Sequence, residues 1–183
     1  MNYLRKSGLL SDCSFELTDS DGKTIVIKCH KCILICASPV FEGMFLGDFK
    51  EANNNAPIPI MDAPADAFEN FIDYLYCEAG GPAMDQLDYE TVKSLLYISH
   101  KYMVSFMIDK SSRALSDMVD KGLPPNIVVE IYKIANQIEN NNLASKIFIT
   151  MLNDIKSTMT CEENLYKLIR ICQIENSQRV KKN

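Results

Sequence analysis

The fold is decided by the stretch CHKCILICASPVFEGMF, which occupies residues 29–45. Its apolar side chains recur at helical spacings rather than in the alternation of a strand. Ser38-Pro39 marks the start of a second helix, because proline suits the first helical position. We therefore predict two short consecutive helices. Their apolar positions are Ile33, Leu34, Val40, Phe41, Met44 and Phe45.

Upstream of these helices, the sequence has the pattern of a β-hairpin. Residues 13–17 (CSFEL) alternate apolar with polar, and residues 24–27 (TIVI) form a largely β-branched run. The residues between them, Asp19-Ser20-Asp21-Gly22, are typical of a turn. We expect two antiparallel strands that lead directly into the two helices.

Downstream, a short strand and a longer helix are predicted. Pro57-Ile58-Pro59-Ile60 is suited only to a sheet edge, because proline cannot donate to a strand ladder. Asp62 is the predicted N-cap of a helix that runs to about Tyr76 and ends before Gly80-Gly81-Pro82. The buried stripe of that helix is predicted to comprise Phe68, Phe71, Ile72 and Leu75.

After residue 60 the sequence contains helical patterns only. The clearest boundary is Lys121-Gly122-Leu123-Pro124-Pro125, so we predict a first domain over residues 1–121 and a helical second domain over residues 122–183. Strands gathered early and helices afterwards indicate an α+β fold, because a doubly wound sheet would alternate the two along the whole chain.

Composition excludes several classes of function. A formal charge of −5, with 19 Lys and Arg among 183 residues, gives no general attraction to nucleic acid. No run of about 18 apolar residues exists that would predict a membrane span. The seven cysteines are odd in number and scattered, which favours a reducing compartment. We expect a cytoplasmic protein, with the nucleus as a further location.

The segment from Leu10 to Tyr76 resembles the BTB/POZ family. Members of that family have an Asp-led strand and a hairpin, followed by His-Lys, Leu, Ser, Phe and Met-Phe at fixed spacing. Those positions are held here by Asp12, His30, Lys31, Leu34, Ser38, Phe41, Met44 and Phe45. From Asn126 onward the sequence resembles the first part of the BACK helical segment. The resemblance implies a BTB/POZ fold, with a small N-terminal sheet flanked by helices, followed by a partial BACK-like segment.

The resemblance also implies a partner. Many family members of this type are adaptors of Cullin-3 ubiquitin ligases, and they engage the cullin through an apolar-x-Glu motif after the Met-Phe helix. Phe49-Lys50-Glu51 matches that motif, and Tyr76 matches a further position near the cullin surface. In the alternative, purely structural interpretation, Phe49 covers the protein's own core, Glu51 is solvated, and Tyr76 is a core ring with its hydroxyl in water.

Two further family features concern self-association. Asp12 and Lys31 match a charged pair in the groove at the family's dimer interface, where a structural or a peptide-binding role is implied. Members that dimerise by strand exchange commonly have an extra strand and a full first helix before the Asp. Only eleven residues precede Asp12 here, so we expect a homodimer, if one forms, to lack strand exchange.

Two alternatives to a cullin adaptor remain open at this stage. One is a transcriptional or scaffold module whose groove around Asp12 and Lys31 binds a co-regulator peptide. The other is a thiol oxidoreductase built on Cys29-His30-Lys31-Cys32, disfavoured because thioredoxin-type sites need a βαβ context. His30 is expected in a buried hydrogen-bond network rather than in catalysis. No enzymatic activity, cofactor or metal is predicted.

Overall fold

The structure is a computed structural model that describes residues 2–47, 56–76 and 82–157. Within these residues three strands lie among helices and a single 3-10 turn, Met84–Gln86. The strands are β1 (Cys13–Thr18), β2 (Thr24–Cys29) and β3 (Ile58–Pro59). The helices are α1 (Asn2–Ser7), α2 (Lys31–Ala37), α3 (Pro39–Leu46), α4 (Ala65–Tyr76), α5 (Tyr89–Lys101), α6 (Ser105–Asp120), α7 (Pro125–Gln137) and α8 (Asn141–Ser157).

The sheet has the order β2-β1-β3, so the predicted hairpin is confirmed. β1 and β2 pair antiparallel in the register Cys13↔Cys29 to Thr18↔Thr24. In the turn, the Asp19 carboxylate accepts the backbone N–H groups of Asp21 and Lys23 at 3.0 and 2.8 Å. Gly22 supplies the φ of +78° that closes the turn. β3 lies parallel to β1 at the sheet edge, where its prolines are tolerated.

An aromatic cluster connects the sheet to the helices. Phe15 of β1 lies 5.6 Å from Phe41 of α3 and 5.2 Å from Phe68 of α4, measured between ring centroids. Tyr102, just after α5, stacks on Phe41 at 4.5 Å and lies 5.6 Å from Phe71. Each of these rings is at most 3% exposed. Contacts between rings at such separations add to the free energy gained from apolar burial.

The start of α3 agrees with the prediction and reveals a second function for its cap. The Ser38 hydroxyl accepts the Phe41 backbone N–H at 3.2 Å and donates to the Tyr102 carbonyl at 2.5 Å. One side chain therefore caps a helix and fixes the segment that carries the central Tyr102 ring.

Two sequence expectations need correction. Asp62 does not cap α4, which begins at Ala65; its carboxylate instead accepts from the Lys101 ammonium at 2.7 Å. The residues before Asp12 do contain a helix, α1, which the sequence analysis did not predict. The α+β fold class and the stripe of Phe68, Phe71, Ile72 and Leu75 are confirmed.

Contacts divide the chain into a first unit, Met1–Met118, and a second unit, Val119–Asn183. The predicted junction at residues 121 and 122 lies three residues beyond this division. In the described part of the second unit, α7 packs against α8. The buried side chains of this helix pair are Val128, Ile131, Tyr132, Ala135, Ile138, Leu143, Ala144, Ile147 and Met151. Along α7 and at its C-cap, Ile131 and Ile138 are buried, while Ile127 and Ile134 are half-buried.

None of the helices within residues 2–47, 56–76 and 82–157 combines the length and the apolar character that a membrane span needs.

Candidate functional site

A buried histidine joins three separate segments of the first unit. His30 lies between β2 and α2; its backbone N–H donates to the Tyr76 hydroxyl at 2.8 Å. The His30 Nε2 atom lies 2.7 Å from the Leu9 carbonyl, and Nδ1 lies 2.6 Å from the Tyr76 hydroxyl. We refer to His30, Tyr76 and the Leu9 carbonyl as the His30 junction.

These contacts determine the tautomer of His30. A carbonyl can only accept, so Nε2 carries the proton; Nδ1 is then an acceptor and receives the hydroxyl proton of Tyr76. Burial raises the pKa of the Tyr76 phenol, which keeps that hydroxyl protonated and able to donate. Both ring nitrogens and the hydroxyl are thereby satisfied, as a buried polar group requires. The junction fixes the end of α4 and the approach to β1 against the start of α2.

The expectation that Tyr76 itself contacts a partner does not agree with its position. Its side chain is 1% exposed, and the hydroxyl predicted to lie in water is committed to His30. Tyr76 therefore presents no ring surface to a partner in this structure. Its placement suits a residue that holds the end of α4, just before residues 77–81, which lie outside the described ranges.

Asp12 and Lys31 are in contact through the Lys31 backbone. The Asp12 carboxylate accepts the Lys31 backbone N–H at 2.7 Å and so satisfies a donor in the first turn of α2. The Lys31 ammonium lies 5.5 Å from the centroid of the Phe45 ring, within the range of a cation-π contact. Asp12 is exposed and Lys31 is half-buried. The described contacts of Asp12 thus serve the start of α2.

The other two predicted partner-binding residues, Phe49 and Glu51, lie outside the described residues. The helix that leads to them is described as far as its cap. Phe45 in the last turn of α3 is buried, while Leu46, its final residue, is 68% exposed. In the sequence, Phe49-Lys50-Glu51 therefore begins three residues after α3, whose last side chain, Leu46, is apolar and exposed to solvent.

A cluster of four charges, which the sequence analysis missed, attaches α1 to α4. Arg5 Nε lies 2.8 Å from Asp73 Oδ1, and Arg5 also donates to Glu69 at 3.1 Å. Lys6 donates to Asp73 Oδ2 at 2.6 Å. Arg5 and Asp73 are 6% and 5% exposed. The spacing of Glu69 and Asp73 in the sequence could have indicated this cluster. At i and i+4 of the predicted helix, the two carboxylates lie on one face and repel each other unless cations pair with them.

The four thiols in the part of the chain that the structure describes fall into two classes. Cys29 is buried, and burial raises the pKa of its thiol, which disfavours the reactive thiolate. Burial likewise raises the pKa of the Cys13 thiol to about 12. Cys32 and Cys36 on α2 are exposed. The oxidoreductase hypothesis needs Cys29 as one of its two thiols, and the position of Cys29 opposes it. Among the described residues, no group of three or more His, Cys, Asp or Glu side chains is placed to hold a metal ion.

In the first unit, Asp12 serves the start of α2, Arg5 and Asp73 form a buried ion pair, and His30 completes the His30 junction. Exposed apolar side chains of this unit include Tyr3, Leu10, Leu46 and Met61. Residues 1–118 match the family model of the BTB/POZ domain, and the chain belongs to that family. The BTB/POZ domain is a protein-interaction module.

The chain is similar to several curated proteins, two of which carry POZ or BTB/POZ in the names given below. The chain is 26% identical over 177 residues to "Kelch-like ECH-associated protein 1A" of Danio rerio, which covers 95% of this chain and 27% of the relative. It is 36% identical over 76 residues to "TD and POZ domain-containing protein 3" of Mus musculus, covering 42% and 19%. It is 34% identical over 98 residues to "BTB/POZ domain-containing protein 6" of Homo sapiens, covering 52% and 16%. The chain thus spans about a quarter or less of the length of these relatives.

Proposed function

We propose that the chain is a protein-interaction adaptor that docks the N-terminal domain of Cullin-3 and catalyses nothing itself. The observation that carries the proposal is the BTB/POZ first unit, whose α3 ends three residues before Phe49-Lys50-Glu51 in the sequence. In this proposal the chain holds a target protein near ubiquitin transfer, or, lacking a target, competes with complete adaptors for the cullin.

Phe49 and Glu51 have complementary roles in the proposed contact. An aromatic ring supplies apolar area that a groove on the partner can desolvate, while a carboxylate two residues later meets a basic or amide-bearing rim. Leu46, three residues before Phe49 in the sequence, is exposed and adds apolar surface at the end of α3. We assign Tyr76 to positioning: through His30 it fixes the end of α4, and a fixed binding surface loses less entropy on association.

Calorimetric titration of the full chain with the Cullin-3 N-terminal domain tests the proposal. We expect a sub-micromolar Kd that Phe49→Ala weakens by about 2 kcal/mol or more, which is about 30-fold. Glu51→Ala should weaken it less, and the matched control Lys50→Ala should leave it within about twofold. A folded wild-type chain that does not bind, or a Phe49→Ala chain that binds equally well, would contradict the proposal.

A co-regulator peptide bound near Asp12 and Lys31 is the alternative. The exposure of Asp12 permits it, although the carboxylate is already bonded to the start of α2. Such a site would be indifferent to Phe49→Ala, so the same titration, repeated with a candidate co-regulator peptide, separates the two functions.

The proposal extends to assembly and location. We propose a homodimer, a partial BACK-like identity for residues 122–183, and a cytoplasmic location with the nucleus as a further one. Sedimentation equilibrium of the purified chain tests the dimer: a single monomeric species at concentrations of tens of micromolar would contradict it.

A further inference from the structure

We propose that Cys32 and Cys36 form a two-thiol capture site for monosubstituted trivalent arsenicals. Both side chains are exposed, and both belong to α2, Lys31–Ala37, at positions four residues apart. Residues at this spacing lie on one face of a helix, one turn apart. Neither cysteine belongs to the Phe49-Lys50-Glu51 motif or to the His30 junction.

The spacing decides which chemistry the pair can perform. Side chains at i and i+4 have Cβ atoms about 5–6 Å apart. A disulfide needs about 3.5–4.5 Å between Cβ atoms, so a direct sulfur–sulfur bond would distort α2. A single thiophilic atom inserted between the two sulfurs lengthens the bridge and suits the larger separation. The pair therefore favours bridging by one atom over oxidation.

The number of available thiol ligands determines which metal or metalloid the pair can bind. Structural zinc takes four protein ligands, and no group of three candidate ligands is assembled among the residues that the structure describes. A trivalent arsenic that already carries one organic substituent has two positions left for sulfur, which equals the two exposed thiols of α2. Soft thiolate donors also suit such a soft centre.

The reaction balances without an oxidant or a reductant. An arsenical RAs=O reacts with both thiols; two As–S bonds form, and the arsenic–oxygen bond breaks. The oxygen leaves as water with the two thiol protons, and arsenic remains trivalent throughout. Both thiols are accessible for this step, whereas Cys13 and Cys29 are disfavoured by burial and by the raised pKa of each thiol.

Phenylarsine oxide is the probe for the test, applied to the full folded chain and followed by intact mass and peptide mapping. We expect one equivalent to bridge Cys32 and Cys36 and to protect both from alkylation. Cys32→Ser and Cys36→Ser should each weaken the binding at α2 at least tenfold. Cys77, Cys161 and Cys172 lie outside the described residues, and mapping assigns any adduct formed there.

A control with two thiols separates bridging from simple thiol reactivity. The double variant Cys36→Ser with Ala37→Cys keeps two thiols on α2 but turns the second away from the first by about one quarter of a turn more. It should bind as weakly as the single variants. Equal binding by this variant, mapping of the wild-type adduct only to other cysteines, or failure of Cys32 and Cys36 to alkylate in the folded chain would each overturn the proposal.

Discussion

The contacts inside the first unit differ in kind from the contacts inside the second unit. In the first unit, β1 pairs with strands on both sides, aromatic rings from four segments meet, and a buried ion pair joins residues 68 positions apart. In the described part of the second unit, two helices adjacent in sequence pack mainly through aliphatic side chains, beside the Tyr132 and Phe148 rings, whose centroids lie 6.0 Å apart. A residue that contacts partners distant in the sequence is restricted by each of them, so few residue types fit its position. Family resemblance is therefore easier to recognise in the first unit than in the second.

The largest expected loss of unfolding free energy follows truncation of a core side chain in the first unit. Phe41→Ala removes a fully buried ring that contacts Phe15, Phe45 and Tyr102, and should cost about 4 kcal/mol of unfolding free energy. Ile147→Ala, fully buried between α7 and α8, should cost about 2 kcal/mol, because a helix pair can close part of the cavity. Urea unfolding of both variants measures the difference; an equal or larger cost at Ile147 would show that the second unit is as closely packed.

The next largest loss of unfolding free energy follows the breaking of a buried ion pair. Arg5→Ala leaves the buried Asp73 with Lys6 as its remaining cation, and should cost about 3 kcal/mol. The second unit's Lys146–Asp120 pair, 3.0 Å long with both side chains about half exposed, should lose less than about 1 kcal/mol in Lys146→Ala. Thermal unfolding at low and high salt distinguishes them; similar losses in both variants would refute the contrast.

A smaller effect is expected at the His30 junction. Tyr76→Phe leaves the His30 backbone N–H and Nδ1 without their partner, and should cost about 2 kcal/mol. Tyr97→Phe, at a 47% exposed tyrosine, is the matched control and should change stability by less than about 0.5 kcal/mol. If the two variants unfold at the same urea concentration, the hydrogen bonds of the junction contribute no stability.

The smallest expected effect is the pH dependence of a helix cap in the first unit. The Asp88 carboxylate caps α5 by accepting the Thr91 N–H at 2.7 Å, and this bond lowers the pKa of Asp88. Its stabilisation is therefore complete above the ordinary pKa of an aspartate and is lost as pH falls through the lowered pKa. In the second unit, α7 has no side-chain cap and α8 is capped by the neutral Asn140. Asp88→Asn should flatten the acid limb of an unfolding curve measured against pH; an unchanged limb would contradict this assignment.

Local patterns predicted much of the fold. Alternation and turn residues indicated the hairpin, Ser38-Pro39 indicated the start of α3, and a 3.6-residue period indicated the buried stripe of α4. Each of these features is determined by residues close together in the sequence.

What the sequence did not predict depends on distant partners. α1 has little apolar periodicity of its own and is held by carboxylates more than 60 residues away. Asp62 has the character of an N-cap residue but pairs with Lys101, 39 residues later. Tyr76 was assigned to a surface because its family position suggested one, whereas a buried His30 draws its hydroxyl inward. The two predicted contact residues Phe49 and Glu51 stay predictions.

The prolines at β3 affect the tendency of this chain to aggregate at high concentration. Ile60 donates its N–H to the Glu16 carbonyl at 2.8 Å, so Ile58 and Ile60 face β1, and Pro57 and Pro59 face away from it. Both of those outward positions lack an N–H, so a strand from another molecule would find no donor there with which to extend the sheet. This edge is thereby protected against the strand stacking that starts amyloid growth.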